Sequence, residues 1–254
     1  MYRWHVFEPW AEDVSLGITC RLGGMSAPPA AGLNLGRAVG GDEEVLRENR
    51  RAAGRLLGAH ESAAWACCNQ VHGTRIAGIP PSFSSEDSPI DASDGLSLSA
   101  GGVVAAVMLA DCLPVAVYDP DRKAGVLCHA GWRGTLAGIA AEAVERLAAE
   151  GSDRNSLAAA AGPGIGPCCF TVGEDVAELF LRKGGLEDAV KKDGTGTFRI
   201  DLEAANLMIL KAAGIREDRL GRGGFCTACR KDEFFSYRKE KGVTGRHAAV
   251  MTLL

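Results

Sequence analysis

The sequence predicts a layered α+β fold, a mixed α/β sandwich, on three observations. Apolar runs of strand length follow one another between residues 102 and 129 through turns too short to hold a crossover helix. Helical segments are interspersed among the strands rather than alternating with them one for one, which disfavours a doubly wound parallel sheet. The chain has 254 residues, 46% of them hydrophobic, and no obvious linker, so it can bury a full core and is expected to form a single domain over residues 1–254.

Taken in order, residues 3–8 and 15–20 read as strands. Residues 42–58 form an amphipathic helix with Asp42 as N-cap and Gly58 as stop. A short strand is expected over residues 65–71. Residues 80–99, rich in Pro, Ser and Asp, read as a loop. Three strands follow at 102–110, 113–118 and 124–129, the last two joined by a turn over residues 119–123. Thr135 opens the most regular helix of the chain, which Gly151 closes. A strand at 157–161 runs into a Gly/Pro-rich segment at 162–170, helices span 174–183 and 202–213, and residues 247–254 make a final strand.

Composition excludes several function classes. Charges of both signs alternate along the chain and sum to a net -4, so there is no basic footprint for nucleic acid or a membrane surface. No apolar stretch approaches the length that spans a bilayer, and residues 1–14 lack the apolar core of a secretory signal. Nine cysteines, an odd count without an export signal, are expected to be reduced thiols of a cytoplasmic protein. The oligomeric state leaves no mark on the sequence.

The residues that carry chemistry fall at strand ends. Cys112 follows the apolar run 101–110 within Asp111-Cys112-Leu113-Pro114. His129 ends the run 124–128 and leads into Ala130-Gly131-Trp132-Arg133-Gly134-Thr135, and His72 stands in Asn69-Gln70-Val71-His72-Gly73. Two imidazoles and a thiolate make three ligands of a tetrahedral zinc, leaving the fourth position for water or substrate. The same donors suit a single copper ion. The competing reading makes His72 a surface loop histidine and Cys112 a small buried hydrophobe.

Asp111 is placed to orient a ligand or to exchange protons with substrate, or else to be satisfied by nearby backbone amides. The segment after His129 runs from strand into helix, where free amides and the Arg133 guanidinium suit phosphate or carboxylate, unless its glycines serve only close packing. The loop at 162–167 is a second connector of that kind. Arg50 stands on the amphipathic helix at 42–58, where a solvated arginine is the default. Cys226 and Cys229 have metal-ligand spacing, but the only partner pair is the adjacent Cys168 and Cys169. That pair is awkward for a tetrahedral site, so free thiols are expected there.

Together these segments resemble the YfiH-type family, labelled polyphenol oxidase (laccase domain) and associated with purine nucleoside phosphorylase activity. The resemblance rests on Asn34-Leu35-Gly36, Asn49-Arg50, Gln70-Val71-His72-Gly73, residues 110–114, residues 129–134, residues 162–169, Cys226 with Cys229, residues 235–238 and Thr244-Gly245-Arg246, in the family's order over nearly the whole chain. It implies a zinc ion bound by His72, Cys112 and His129. It also implies phosphorolysis of adenosine, inosine or guanosine and S-methyl-5'-thioadenosine, together with adenosine deamination, in one pocket. The fold implied is an α+β sandwich shared with bacterial cysteine-dependent toxin deamidases. Two departures stand out: Phe170-Thr171 where Tyr-Glu is usual, and Gly41 before Asp42 where Val-Gly-Asp is frequent.

The laccase label can be tested against the residues. A trinuclear copper cluster is held almost wholly by imidazoles, and this chain has five histidines with no His-x-His pair, which excludes a multicopper enzyme. The common zinc nucleobase deaminase is disfavoured as well, because no His-x-Glu supplies its ligand and its proton-transferring glutamate. Two hypotheses remain. In the first, a zinc-dependent purine nucleoside enzyme uses Asp111, Cys112 and Arg133 in catalysis, with Asn34, Arg50, Arg133 and Gly134 contacting phosphate or substrate. In the second, a metal-independent hydrolase uses Cys112 as nucleophile and His129 as base, with editing of a nucleotide-linked cell-wall precursor as a related role. A stoichiometric zinc on Cys112 leaves no free thiolate for the second. A non-enzymatic scaffold fits least well with three convergent polar loops.

Overall fold

A computed structural model describes every residue except 2, 38, 40, 41, 81, 86, 87 and 195. Gly41 and part of the expected 80–99 loop therefore lie outside the described residues. In chain order the strands are β1 (Val14–Ile18), β2 (Ala64–Cys67), β3 (Ile76–Gly78), β4 (Gly95–Leu98), β5 (Val103–Leu109), β6 (Leu113–Asp119) and β7 (Ala124–Ala130). They continue as β8 (Ala158–Ala161), β9 (Thr171–Val172), β10 (Val190–Lys192), β11 (Phe198–Ile200), β12 (Leu220–Arg222) and β13 (His247–Leu253). The helices are α1 (Glu43–Leu57), α2 (Trp132–Ala137), α3 (Ile139–Ala149), α4 (Glu174–Arg182) and α5 (Leu202–Ala212).

The fold is the expected layered mixed α/β sandwich. One sheet runs β1-β13-β5-β2, a larger one β12-β8-β6-β7-β4-β3, and a small one β10-β11-β9. Most pairings are antiparallel, with parallel contacts at β2–β5, β3–β4 and β12–β8. The two larger sheets face each other across a core that takes Val103, Ala105, Val107 and Leu109 from β5 and Ala116, Tyr118, Leu127, Ala158 and Ala160 from the larger sheet. The alternate residues of β5, Val104 and Ala106, pack outward with Ala53 and Leu57 of α1. Those of β6–β8, Val115, Val117, Val126 and Ala159, pack with Ile139, Val144 and Leu147 of α3. Both faces of the central strands are covered, which is why they read as unbroken apolar runs.

Four expectations need correction. Residues 3–8 do not form a strand: His5–Trp10 is a 3-10 helix. The Trp4 and Phe7 spacing of three puts both rings on one face of that turn, where they meet edge to face at 6.3 Å. The loop at 80–99 ends in β4, whose buried Leu96 and Leu98 join the core. The helix expected from Thr135 begins at Trp132 and is cut by Gly138 at φ 94°, giving the short α2 before α3. Strands β3, β9, β10 and β12, each of two or three residues, are too short to show a period. The strand expected over 65–71 stops at Cys67, and residues 68–73 turn away toward the site described below.

His247, at the start of β13, is fully buried against the edge of Phe234 at 5.3 Å, and neither ring nitrogen finds a hydrogen-bond partner among the described residues. Burial, helped by the charges of Arg246 and Arg21, pushes its pKa down to about 3. An unfolded histidine takes up a proton near pH 6.5, so between roughly pH 6.5 and 3 the unfolded chain binds the proton that the folded chain refuses. Stability is therefore full above that window and lost as pH falls through it. Between about pH 6.5 and 5 the loss is on the order of 2 kcal/mol. Urea unfolding of wild type and His247→Gln at both pH values should show this part of the slope vanishing in the variant. An unchanged slope would contradict a neutral buried ring.

Candidate metal centre

The chain crosses from the smaller of the two facing sheets to the larger between β5 and β6, and Cys112 lies in that crossing. It begins with Asp111, whose left-handed φ of 81° aims the next residue sideways. The Asp111 carboxylate fixes this backbone: it accepts from Thr227 Oγ1 at 3.0 Å, Ser236 Oγ at 2.9 Å and the Arg238 amide at 2.7 Å. Its carbonyl accepts from the Ile165 amide at 2.7 Å. The loop at 162–167 thus spends two of its amides here, Ile165 on the Asp111 carbonyl and Gly162 on the Pro114 carbonyl.

His129 stands on β7 opposite Pro114 of β6, beside the crossing. His72 reaches the same point from the loop after β2, in the left-handed conformation with φ 61°. Gln70 clamps that loop to β5 by a two-way amide contact with Met108, at 2.9 and 2.8 Å. The ligand atoms of His72, Cys112 and His129 all lie within 4.8 Å of one another, and the imidazole centroids are 4.8 Å apart. Gly131 leaves the room this needs. A Cβ there would stand 2.6 Å from His72 Nδ1 and 3.2 Å from Cys112 Sγ.

Asp94 is the residue that the sequence reading missed. It is fully buried, and one oxygen accepts from His129 Nδ1 at 2.9 Å and from the His72 amide at 3.0 Å. The other accepts from the Gly73 and Val71 amides at 2.7 and 3.1 Å, and the Asp94 carbonyl takes the His129 amide at 2.7 Å. One carboxylate therefore shapes the His72 turn and orients the His129 ring. With Nδ1 committed, Nε2 is the atom left to face an ion. Burial alone would raise the Asp94 carboxyl, but His129 and the Gly73 and Val71 amides together hold it below the usual range. Burial alone would pull His129 down, but Cys112 and Asp94 outweigh it and hold the ring up at about 9. His72 is lowered by burial and by the charges of His129 and Arg133. The only sequence signal for Asp94 was chemical: a ligating histidine needs a second-shell acceptor, and the polar stretch at 91–94 was a place to look for one.

The three ligands open into a cleft of about 620 Å³, the size of a small-molecule site. Its lining includes Arg37, Arg50, Arg133, Arg238 and Arg246 together with Trp132, Phe170 and Tyr237. Arg133 is exposed and lies over the Trp132 ring at 4.2 Å. Arg50 stands 5.9 Å from the Trp65 ring, and its buried Nε finds no partner among the described residues. Arg246 is close enough to Cys112 and Asp111 for their charges to act on it. Arg238 lies over Phe170 at 5.5 Å, so the Phe170-Thr171 departure supplies an apolar wall.

Two expected contacts do not reach the cleft. Asn34 is buried behind it: Oδ1 takes the Gly36 and Arg246 amides, and Nδ2 donates to the Gly36 and Val39 carbonyls. Gly134 is buried against the Gly73 carbonyl, a packing contact. The helix after His129 has six residues, too few to carry a strong dipole, so the anion-binding capacity of this turn rests on Arg133. The four cysteines expected to be free thiols do not stand apart either, because the structure gathers Cys168, Cys169, Cys226 and Cys229 into a second group.

A layered α+β sandwich carrying two histidines and a cysteine at one arginine-lined cleft defines a class of protein with a candidate metal centre. A sequence profile described as "Multi-copper polyphenol oxidoreductase laccase" matches residues 15–254, and the chain belongs to that family. It is 35% identical to the purine nucleoside phosphorylase YlmD of Geobacillus stearothermophilus over 95% of this chain and 90% of that one. It is 32% identical, over 82% of each chain, to adenosine deaminase RL5 of an unknown prokaryotic organism. The crystal structure of the Bacillus licheniformis hypothetical protein YfiH superimposes with a TM-score of 0.90 at 33% identity, covering 97% of this chain and 95% of that one. These relatives support an enzyme that processes nucleosides. The multi-copper wording of the profile does not fit five histidines, of which His5 and His60 are exposed and hydrogen-bonded to Glu8 and Ser62, and His247 is buried apart. Among the described residues no helix is long and apolar enough to cross a membrane.

Proposed function

We propose that the cleft phosphorolyses purine nucleosides, adenosine, inosine or guanosine and S-methyl-5'-thioadenosine among them, and deaminates adenosine, with zinc held by His72, Cys112 and His129. The observation that carries this is the meeting of three ligands with several arginines in the lining of one cleft of nucleoside size. The donor set fits zinc: soft thiolate, two imidazoles, a second-shell carboxylate on one of them, and an open side toward the cleft. When bound, zinc supplies Lewis acidity, polarising an oxygen or lowering the pKa of a water toward neutrality.

The protein's own residues supply the rest. In phosphorolysis a phosphate oxygen forms a bond to C1′ as the bond to the base nitrogen breaks, and the departing base takes up a proton. In this reading Arg133 and Arg50 hold the phosphate, and Phe170, Tyr237 and Trp132, which line the same cleft, flank the nucleoside. In deamination a water oxygen replaces the C6 amino group, which leaves as ammonia. Asp111 has its carboxylate taken by three donors, so it acts as a positioning residue for Cys112 rather than as a proton carrier.

One geometry favours a second reading. Asp94, His129 and Cys112 stand in the order of a cysteine hydrolase triad, with Asp94 on His129 Nδ1 and the Cys112 thiol in contact with the ring. That reading gives His72 no task, although a buried carboxylate is spent on shaping its turn.

Chromatography of adenosine incubations across a phosphate titration tests the proposal. Arg133→Ala should slow adenine formation far more than inosine formation, because only phosphorolysis brings a multiply charged nucleophile. Losing one charge-assisted contact costs roughly 1.5–3 kcal/mol, about one to two powers of ten in rate. Arg133→Lys should recover part of it, since an ammonium keeps the charge but not the planar two-point contact. An equal fall in both products, with unchanged phosphate dependence, would remove Arg133 from the phosphate site.

A further inference from the structure

We propose that Cys168, Cys169, Cys226 and Cys229 form a second metal site, a four-thiolate zinc that ties the loop at 166–170 to the turn at 226–230. The four sulfurs lie within 4.8 Å of one another, and Cys229 Sγ is 3.5 Å from both Cys168 Sγ and Cys169 Sγ. Zinc–sulfur bonds of about 2.3 Å set tetrahedral edges of about 3.8 Å, so the two separations at 3.5 Å are close to an edge of a ZnS4 group and none of the others exceeds 4.8 Å. Disulfides join sulfurs in pairs and require no approach of all four. A compact group of four mutually close thiols is what a soft tetrahedral ion requires.

The local backbone explains how adjacent cysteines serve one ion. Residues 167–169 form a turn closed by the Cys169 and Phe170 amides on the Gly166 carbonyl, which brings both side chains to Cys229. Gly166 leaves the space: a Cβ there would lie 3.1 Å from Cys226 Cβ and 3.5 Å from Cys168 Sγ. Cys226-Thr227-Ala228-Cys229 forms the opposing turn, closed by the Arg230 amide on the Cys226 and Thr227 carbonyls. Zinc with four thiolates carries two net negative charges, and the surroundings are basic. Arg199 donates to the Cys168 carbonyl at 3.0 Å, Arg238 to the Cys169 carbonyl at 3.1 Å, and the charge of Lys239 acts on Cys229. Cys168 and Cys229 are exposed, so an ion can enter from solvent.

The site has a structural consequence. Thr227, between the paired cysteines, donates its amide to Gly164 and its hydroxyl to Asp111, and Phe170 and Arg238 line the cleft. Zinc here holds the cleft wall and the Asp111 crossing in place without touching the reactants.

Zinc content and zinc-edge X-ray absorption test this on protein purified under reductant. The variants are His72→Ala/His129→Ala, which removes the imidazole-bearing centre, and Cys168→Ser/Cys229→Ser, whose side chains are exposed. Wild type should carry two zinc ions per chain and each double variant one. The ion left in His72→Ala/His129→Ala should show sulfur neighbours only, at about 2.3 Å. That measurement decides the matter even if the cysteine variant fails to fold. Zinc-free His72→Ala/His129→Ala protein would overturn the proposal, as would disulfides among these cysteines in the freshly purified enzyme. Neither outcome removes the ion at Cys112, which is read separately as the one zinc that Cys168→Ser/Cys229→Ser retains.

Discussion

Cys112→Ala is expected to yield a folded protein that has lost the ion of the cleft and, with it, nucleoside turnover. The side chain is half-buried at the crossing between the sheets, and its backbone is held by Asp111 rather than by the thiol, so the fold loses little. The chemistry loses the Lewis acid, worth several kcal/mol of charge stabilisation, or about three powers of ten in rate. His72→Ala and His129→Ala should do the same, with His129→Ala also leaving Asp94 short of a partner in the interior. Zinc analysis, circular dichroism and adenosine turnover on the three variants check this together. A zinc-replete, fully active Cys112→Ala protein would sink the metal centre.

The second large effect belongs to Asp94. Asp94→Ala removes the acceptor of three consecutive amides, Val71 to Gly73, and of the His129 ring at one stroke. Each orphaned donor costs about 1–3 kcal/mol, so a fall of several kcal/mol in stability is expected. Zinc affinity should drop by about ten- to a hundredfold, the range for losing a second-shell partner of a ligating histidine. Asp94→Asn is the informative companion. Its amide keeps one acceptor for the turn but has no second oxygen for the opposite set, so it should recover stability more than affinity. Urea unfolding and competition with a zinc chelator separate the two readouts. Wild-type zinc affinity in a folded Asp94→Ala protein would show that Asp94 serves the turn alone.

The central strands β5 to β8 were legible because both their faces are covered and the apolar runs are unbroken. Helix α1 was legible because Asp42 caps it, accepting from the Glu44 amide, and Gly58 ends it in the left-handed conformation. The three-residue strands carry no period, and the 3-10 turn at His5–Trp10 hides its spacing of three among residues that also suit a strand. At the site, His72, Cys112 and His129 stood out as chemistry at strand ends. Asp94 did not, since an aspartate in a Pro/Ser/Asp-rich segment looks like turn chemistry until the fold shows it buried beneath both histidines. Adjacent Cys168 and Cys169 were set aside for a stereochemical reason that the turn at Gly166 removes. Arg238 and Arg246 were visible only within motifs, because nothing in their spacing reveals that they share a cleft with Cys112.

The most direct test of the account is zinc reconstitution. Protein stripped by a chelator under reductant should consume no adenosine, with or without phosphate, and adding zinc back should restore both adenine and inosine formation, in wild type but not in Cys112→Ala. Full adenosine turnover by the stripped, zinc-free wild type would contradict the account and leave Cys112 and His129 as a metal-independent pair.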